Sequence, residues 1–425
     1  MRWNNFRIPL LMLFILLVIV AIRGITQQAI PSLELPIEST PAPEVSFASK
    51  EETDSSVQVV MPASKEEIIG VWIPYMTLKT EEGTREAFCA NFDQIAEEAA
   101  EMGINALFVH VRPFGDALYP SDLYPWSHIL TGVQGTDPGF DPLQYMIDKT
   151  HTEGMTFHAW INPLRISLNS VPPSFSANNP YIAWQADADK KDVFILYENG
   201  ILYDPGYAVV RDHIVAGVAE IVENYEVDGI HFDDYFYPQN EPDVDANSYA
   251  AYLAGIDVQE TVLNHEEWRA ANINALVSQV YATIKSIDPS VAFGISPTGV
   301  VANNYELSAD VVSWCTVAGY VDYICPQLYY STEGGAVPFD EALVAWLDIP
   351  RLDSVDFYIG LAAYKAGTDA DNGAWMNKND ILVQEILLGR NHGAIGFLFY
   401  AWDQLNVPEA AEEVQNAFAL LKGRN

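Results

Sequence analysis

The sequence predicts an α/β fold of the (β/α)8 (TIM) barrel type, and three observations carry that reading. Eight short apolar runs, rich in β-branched and aromatic residues, recur from Gly70 onward. Amphipathic helical patterns separate them. The two longest excursions, 164–203 and 235–267, both follow the ends of apolar runs. Runs that are apolar on both faces suit buried parallel strands, and their alternation with helices suits a barrel. A doubly wound sheet is the competing architecture. The chain lacks the glycine-rich phosphate loop that would favour it.

In chain order, the first segment is "MRWNNFRIPLLMLFILLVIVAIRG". Arg2 and Arg7 precede an apolar run from Ile8 to Ile22, and Arg23 closes it. A terminal apolar run with basic flanks is an export signal. Residues 1–25 are read as a signal anchor, an uncleaved hydrophobic helix with its N-terminus held inside by the arginines. A cleaved signal peptide, with Ala29 as the candidate site, is the alternative. Residues 26–66, rich in Pro, Ser, Thr and Glu, read as a disordered linker. Residues 67–425 form the predicted barrel, with membrane contact only through the N-terminal helix.

The predicted strands are 70–75, 106–111, 156–163, 229–234, 292–297, 323–328, 357–362 and 394–400. Between them, "NFDQIAEEAAEMG" (91–103) places Phe92, Ile95, Ala96, Ala99 and Met102 on one stripe and stops at Gly103. An Asp-Pro pair opens the helix predicted over 141–154. Further helical patterns cover 210–225, 268–288 and 379–393.

The formal net charge of −37 disfavours nucleic acid and anionic lipid as partners of the globular part. Cys89, Cys315 and Cys325 fit neither a zinc site nor a disulfide framework and read as buried free thiols.

In a barrel, polar residues at strand C-termini are candidates for function by position. Along the chain these are Tyr75; then His110, Arg112 and Asp116; then His158, Trp160, Asn162 and Arg165. The fourth strand, "VDGIHFDDYFYP" (227–238), adds His231, Asp233 and Asp234. Ser296, Gln327, Tyr329, Tyr330, Tyr364, Trp402 and Asp403 complete the set. Carboxylates, amides and aromatics dominate it. Aromatic faces stack on sugar rings, polar groups bond their hydroxyls, and two carboxylates can run an acid–base pair. If Ile230 and Phe232 face the helices, His231 and Asp233 point into the barrel and Asp234 lies at the strand-to-loop junction. A metal site is the rival, because His110, His158, His231 and Asp233 lie on adjacent strands. The histidines lack paired metal-ligand spacing, so no metal and no cofactor is predicted.

The blocks "VHVRPFGDALYPSDLYPWSHILTGVQGTDPGFDPLQYMIDKTHTEGMTFHAWINPLR" (109–165), "YDPGYAVVRDHI", "VDGIHFDDYFYP" and "VDYICPQLYYS" resemble the glycosyl-hydrolase-like 10 family of bacterial envelope proteins. The resemblance implies a (β/α)8 barrel and glycoside hydrolysis, including cleavage of peptidoglycan glycan strands stripped of stem peptides. It implies that Asp233 and Asp234 form the core of the site, and the two are read as the catalytic residues. It also implies that Arg112, Asp116, Tyr119, His158, Trp160, Asn162 and Arg165 line the cleft. From their place at strand ends, His231, Gln327, Tyr329, Trp402 and Asp403 are read as further substrate contacts. "DGIHFD" is also similar to the strand-four motif of the α-amylase clan, whose last Asp is the nucleophile; here that is Asp233, with His231 in place of arginine. The catalytic Glu of the chitinase-type motif is replaced by Tyr235. "FGISP" offers no strand-five glutamate, so Asp234, Asp403, Glu306 and Glu333 remain open as general acid. A non-catalytic glycan-binding scaffold and a zinc-dependent polysaccharide deacetylase are the alternatives.

Overall fold

The computed structural model describes residues 65–257 and 261–423. The predicted terminal helix and nearly all of the linker lie outside the described residues. No described helix is long and apolar enough to cross a membrane.

Eight parallel strands close a barrel in the order β1-β2-β3-β7-β8-β9-β10-β11. They are β1 (Ile68–Ile73), β2 (Ala106–Arg112), β3 (Thr156–Ile161), β7 (Gly229–Phe232), β8 (Ala292–Ile295), β9 (Tyr323–Ile324), β10 (Asp356–Leu361) and β11 (Gly396–Phe399). Each overlaps a predicted run, and β3, β7, β8, β9 and β11 are shorter than predicted, mainly at the C-terminal end. There the chain leaves the ladder to build the mouth. The insertion after β3 folds into a small antiparallel sheet, β4 (Arg165–Leu168), β5 (Phe194–Tyr197) and β6 (Gly200–Tyr203), in the order β4-β6-β5.

Helices fill the intervals: α1 (Arg85–Met102), α2 (Pro142–Thr152), α3 (Ala208–Asn224), α4 (Ala246–Gly255), α5 (His265–Ile287), α6 (Val311–Thr316), α7 (Phe339–Leu347), α8 (Ile381–Asn391) and α9 (Ala411–Lys422). Their ends follow local chemistry. Thr84 caps α1 by accepting from the Ala87 amide, and Gly103 ends it at φ 83°, a left-handed value that favours glycine. Asp141 caps α2 ahead of Pro142. Asn264 and Glu267 form a reciprocal capping box on α5.

Strand alternation divides the core in two. Val71, Ile73, Leu107, Val109, Ile230, Phe232, Phe293, Ile295, Phe397 and Phe399 pack outward against the helices. Trp72, Phe108, Trp160, Tyr323, Tyr358 and Leu398 fill the barrel interior. The interior is tight. A Cβ on Gly229 would come within 2.2 Å of His158 Nδ1, and one on Gly294 within 2.1 Å of the Tyr323 ring. Those two glycines make room for the inward rings. Cys89, Cys315 and Cys325 are free thiols, with Cys89 half-buried and the others buried.

Candidate active site

Asp233 follows β7 directly and continues its alternation. Ile230 and Phe232 face the helical layer, so His231 and Asp233 point inward. Asp233 is 3 % exposed. Its Oδ2 accepts from Trp160 Nε1 at 3.1 Å, and its Oδ1 from Asn162 Nδ2 at 3.1 Å and the Tyr235 amide at 3.4 Å. Asn162 is itself fixed, because its Oδ1 accepts from the Arg165 amide at 2.9 Å. Burial pushes the Asp233 carboxyl up; the Arg165 charge and the Trp160 and Asn162 donors pull it back down.

Asp234 is half-buried beside it. Burial first, and then the charge of Asp233, push its carboxyl up to about 7. Gln327 donates to Asp234 and so opposes the shift. It also donates to the Ser296 carbonyl at 2.9 Å. The two neighbours are therefore unequal. Asp233 is tied down by side-chain and backbone donors, and Asp234 is the one whose carboxyl is pushed up to about 7.

Both line a cavity of about 190 Å³ at the barrel mouth, together with Trp72, Trp160, Ser296 and Gln327. Four tyrosines, Tyr235, Tyr329, Tyr364 and Tyr400, complete its wall. Asp234 and Tyr235 also line an adjoining groove of about 610 Å³. Arg165, Leu168, Tyr197 and Asn199 form one side of that groove, and residues 236–241 contribute to the other. Arg165 anchors there through Nε to the Pro113 carbonyl at 2.8 Å, and its guanidinium sits 5.0 Å from the Phe114 ring and 5.1 Å from the Tyr235 ring. A groove of about 790 Å³ between α1 and α9 is larger. No strand end opens into it.

Beneath the carboxylates the floor is rigid. Trp72 Nε1 donates to His231 Nε2 at 3.1 Å, so the proton of His231 sits on Nδ1 and is donated to Tyr323 Oη at 2.9 Å. Burial holds His231 neutral, with its pKa well below the ordinary value. His158 lies deeper, stacked on Phe108 at 4.3 Å, and burial lowers it to about 4. His110 stacks on Trp160 at 3.8 Å. Each histidine thus packs against a ring. Among the described residues no three of His, Cys, Asp and Glu come together as a metal-ligand set.

The structure brings Trp160, Asn162, Arg165, Gln327 and Tyr329 to Asp233, Asp234 and the two cavities. His158 and His231 support the floor without reaching the wall. Arg112, Asp116 and Tyr119 are placed elsewhere. The β2–β3 register shifts between His110 and Arg112, which turns Arg112 towards the helices, where it lies 4.7 Å from the Tyr124 ring. Asp116 is fully buried and accepts from Gln134 Nε2 at 2.8 Å. Tyr119 is fully buried against Tyr225. Trp402 packs into the outer core, and Asp403 accepts from Thr77 Oγ1 at 2.7 Å. Glu333 pairs with Lys378 at 2.5 Å, and Glu306 is exposed at a helix end. Of the four open acids, Asp234 lines the cavity. Sequence reasoning missed Trp72, Tyr235 and Tyr400 as wall residues. Outward Val71, Ile73 and Phe399 carried the signal, since their neighbours must point in.

Comparisons with known proteins bear on the family and the fold. The family model described as glycosyl hydrolase-like 10 matches residues 67–377. The chain belongs to the glycosyl hydrolase-like 10 family. It is 34 % identical over 386 residues to the glycosyl hydrolase YngK of Bacillus subtilis (strain 168), covering 85 % of this chain and 71 % of that protein. It is 34 % identical over 337 residues to the glycosyl hydrolase DigH of Escherichia coli (strain K12), covering 74 % and 75 %. Among solved structures, the PgaB (BpsB) glycoside hydrolase domain from Bordetella bronchiseptica aligns with a TM-score of 0.56 at 14 % identity, covering 83 % of this chain and 99 % of that one. The catalytic domain of a β-amylase from Paenibacillus polymyxa aligns with a TM-score of 0.52 at 12 % identity, covering 84 % and 98 %. At those identities the structural likeness shows the barrel fold. Family membership makes the chain a glycoside hydrolase.

Proposed function

We propose that the chain is an exported, membrane-tethered glycoside hydrolase that cuts cell-wall glycan strands freed of their stem peptides. The observation that carries this reading is the unequal pair Asp233 and Asp234, set in a ring-walled cavity that continues into a polymer-sized groove. Asp234, with its carboxyl pushed up to about 7, carries the proton in the acting fraction and serves as general acid, while Asp233 supplies the negative charge facing the reacting sugar. Trp160 and Asn162 hold that charge in place. The stacking wall and Arg165 suit a sugar chain with hydroxyl and anionic substituents. The terminal apolar run and the polar linker support display outside the membrane.

The test is release of reducing ends from glycan strands with and without stem peptides. Bare strands should be cut faster, and Asp233→Asn should lower the activity by about 10³-fold with the fold intact. Near-normal cleavage by that variant would sink the assignment. A protease-accessible barrel on intact cells, retained by washed membranes, tests the placement.

A further inference from the structure

The positions of the two carboxylates raise the question of what attacks the anomeric carbon. Enzyme carboxylates that cleave a glycosidic bond as a pair flank it from two sides, ~5–5.5 Å apart for retention and ~6.5–9.5 Å for inversion. Asp233 and Asp234 are consecutive residues lining the same cavity, and its remaining lining residues carry no carboxylate. Asp233 is poorly disposed to attack. A carboxylate has about four lone-pair sites. Those of Asp233 already receive Trp160 Nε1, Asn162 Nδ2 and the Tyr235 amide. Bonding an oxygen to carbon would break those contacts in a buried site. One further N–H can still be accepted.

We propose that the nucleophile belongs to the substrate: the carbonyl oxygen of a 2-acetamido group on the sugar in this cavity attacks its own C1. Asp233 accepts the acetamido N–H, and Asp234 protonates the leaving oxygen. This rests on the glycan-cleaving reading above and narrows its substrate to a 2-acetamido sugar at the cut. In the first step the C1–O glycosidic bond breaks, its electron pair goes to the leaving oxygen, and that oxygen takes the Asp234 proton. A bond from C1 to the acetamido oxygen forms, closing an oxazolinium ring whose N–H stays on Asp233. In the second step water gives a proton to Asp234 and its oxygen bonds to C1. The C1 bond to the acetamido oxygen breaks, and the acetamide is restored with the original anomeric configuration. The cavity, about 190 Å³, is comparable to a single sugar, and its Trp and Tyr rings offer the methyl an apolar wall. The chain has Tyr235 where chitinase-type motifs carry their acid. Asp234, one residue earlier, takes that place here.

The experiment uses bare glycan strands that are de-N-acetylated and then either re-acetylated or N-trifluoroacetylated. Fluorination preserves shape and weakens the carbonyl as a nucleophile. Re-acetylated strands should be cut at the original rate and trifluoroacetylated strands about a hundredfold more slowly, the scale of weakening a positioned intramolecular nucleophile. Proton NMR of the first product should show retention. Equal rates, an inverted product, or a glycosyl adduct on Asp233 by intact mass would each overturn the inference alone. Strands left uncut in every form would overturn the cell-wall reading and the inference with it.

Discussion

Two pairs of carboxyls in this protein are pushed towards their protonated forms, and they have different fates. At the mouth, Asp233 is raised by burial, and Asp234 is raised to about 7 by burial and by its neighbour's charge. Between α8 and α9, burial raises Glu385 well above its ordinary range and Glu413 to about 7. Glu385 is fully buried, with neither carboxyl oxygen hydrogen-bonded. Glu413 Oε1 accepts from the Leu382 amide at 2.5 Å, at the N-terminal end of α8. A raised pKa alone therefore does not identify chemistry. The mouth pair opens onto a cavity with aromatic walls and is held by donors from β3 and its loop. The helix pair faces packed side chains and caps a helix.

The largest expected effect is at Asp233. Asp233→Asn should lower kcat/KM by about 10³-fold, within the range for a positioned acid–base group, with the fold unchanged by circular dichroism. Asp234→Asn should cost about 10²-fold or more by the same reasoning and change the pH profile. Because Asp234 must be protonated to act, wild-type kcat/KM should fall as pH rises past about 7. The variant should lose that limb. A limb that persists in Asp234→Asn would move the acid elsewhere.

Trp160→Phe removes one donor to Asp233 and should cost about tenfold, the scale of one hydrogen bond to a charged group. Glu385→Gln should leave kcat/KM unchanged. Its effect is on stability, and the sign follows from linkage. The folded pKa is raised above the ordinary 4.5, so the native state binds more protons than the unfolded chain above that pH. Stability from this group is full below about pH 4.5 and declines as pH rises through the ordinary value towards the raised one. Melting curves should therefore show the variant gaining on wild type at pH 8 and matching it near pH 4. Loss of activity in Glu385→Gln would break the contrast between the two pairs.

Much of the barrel was legible from the chain. All eight strands and the five predicted helices are present, because buried parallel strands need continuous apolar runs and the helices between them need one apolar stripe. The place of Asp233 and Asp234 at the mouth was legible from position alone, since the end of β7 opens there. Arg112 and Trp402 show the limit. Both follow strands in sequence, yet a register shift turns one outward and packing draws the other into the core.

The sequence by itself determined the strand and helix order, the placement of the two insertions and the adjacency of the aspartates, since these depend on residues near one another in the chain. Only the tertiary structure decided that Trp160 from the third strand and Asn162 just after it hold Asp233, that Trp72 from the first locks His231, and that burial beside Asp233 pushes the Asp234 carboxyl up to about 7. Those facts depend on burial and on donors that come together only when the barrel closes.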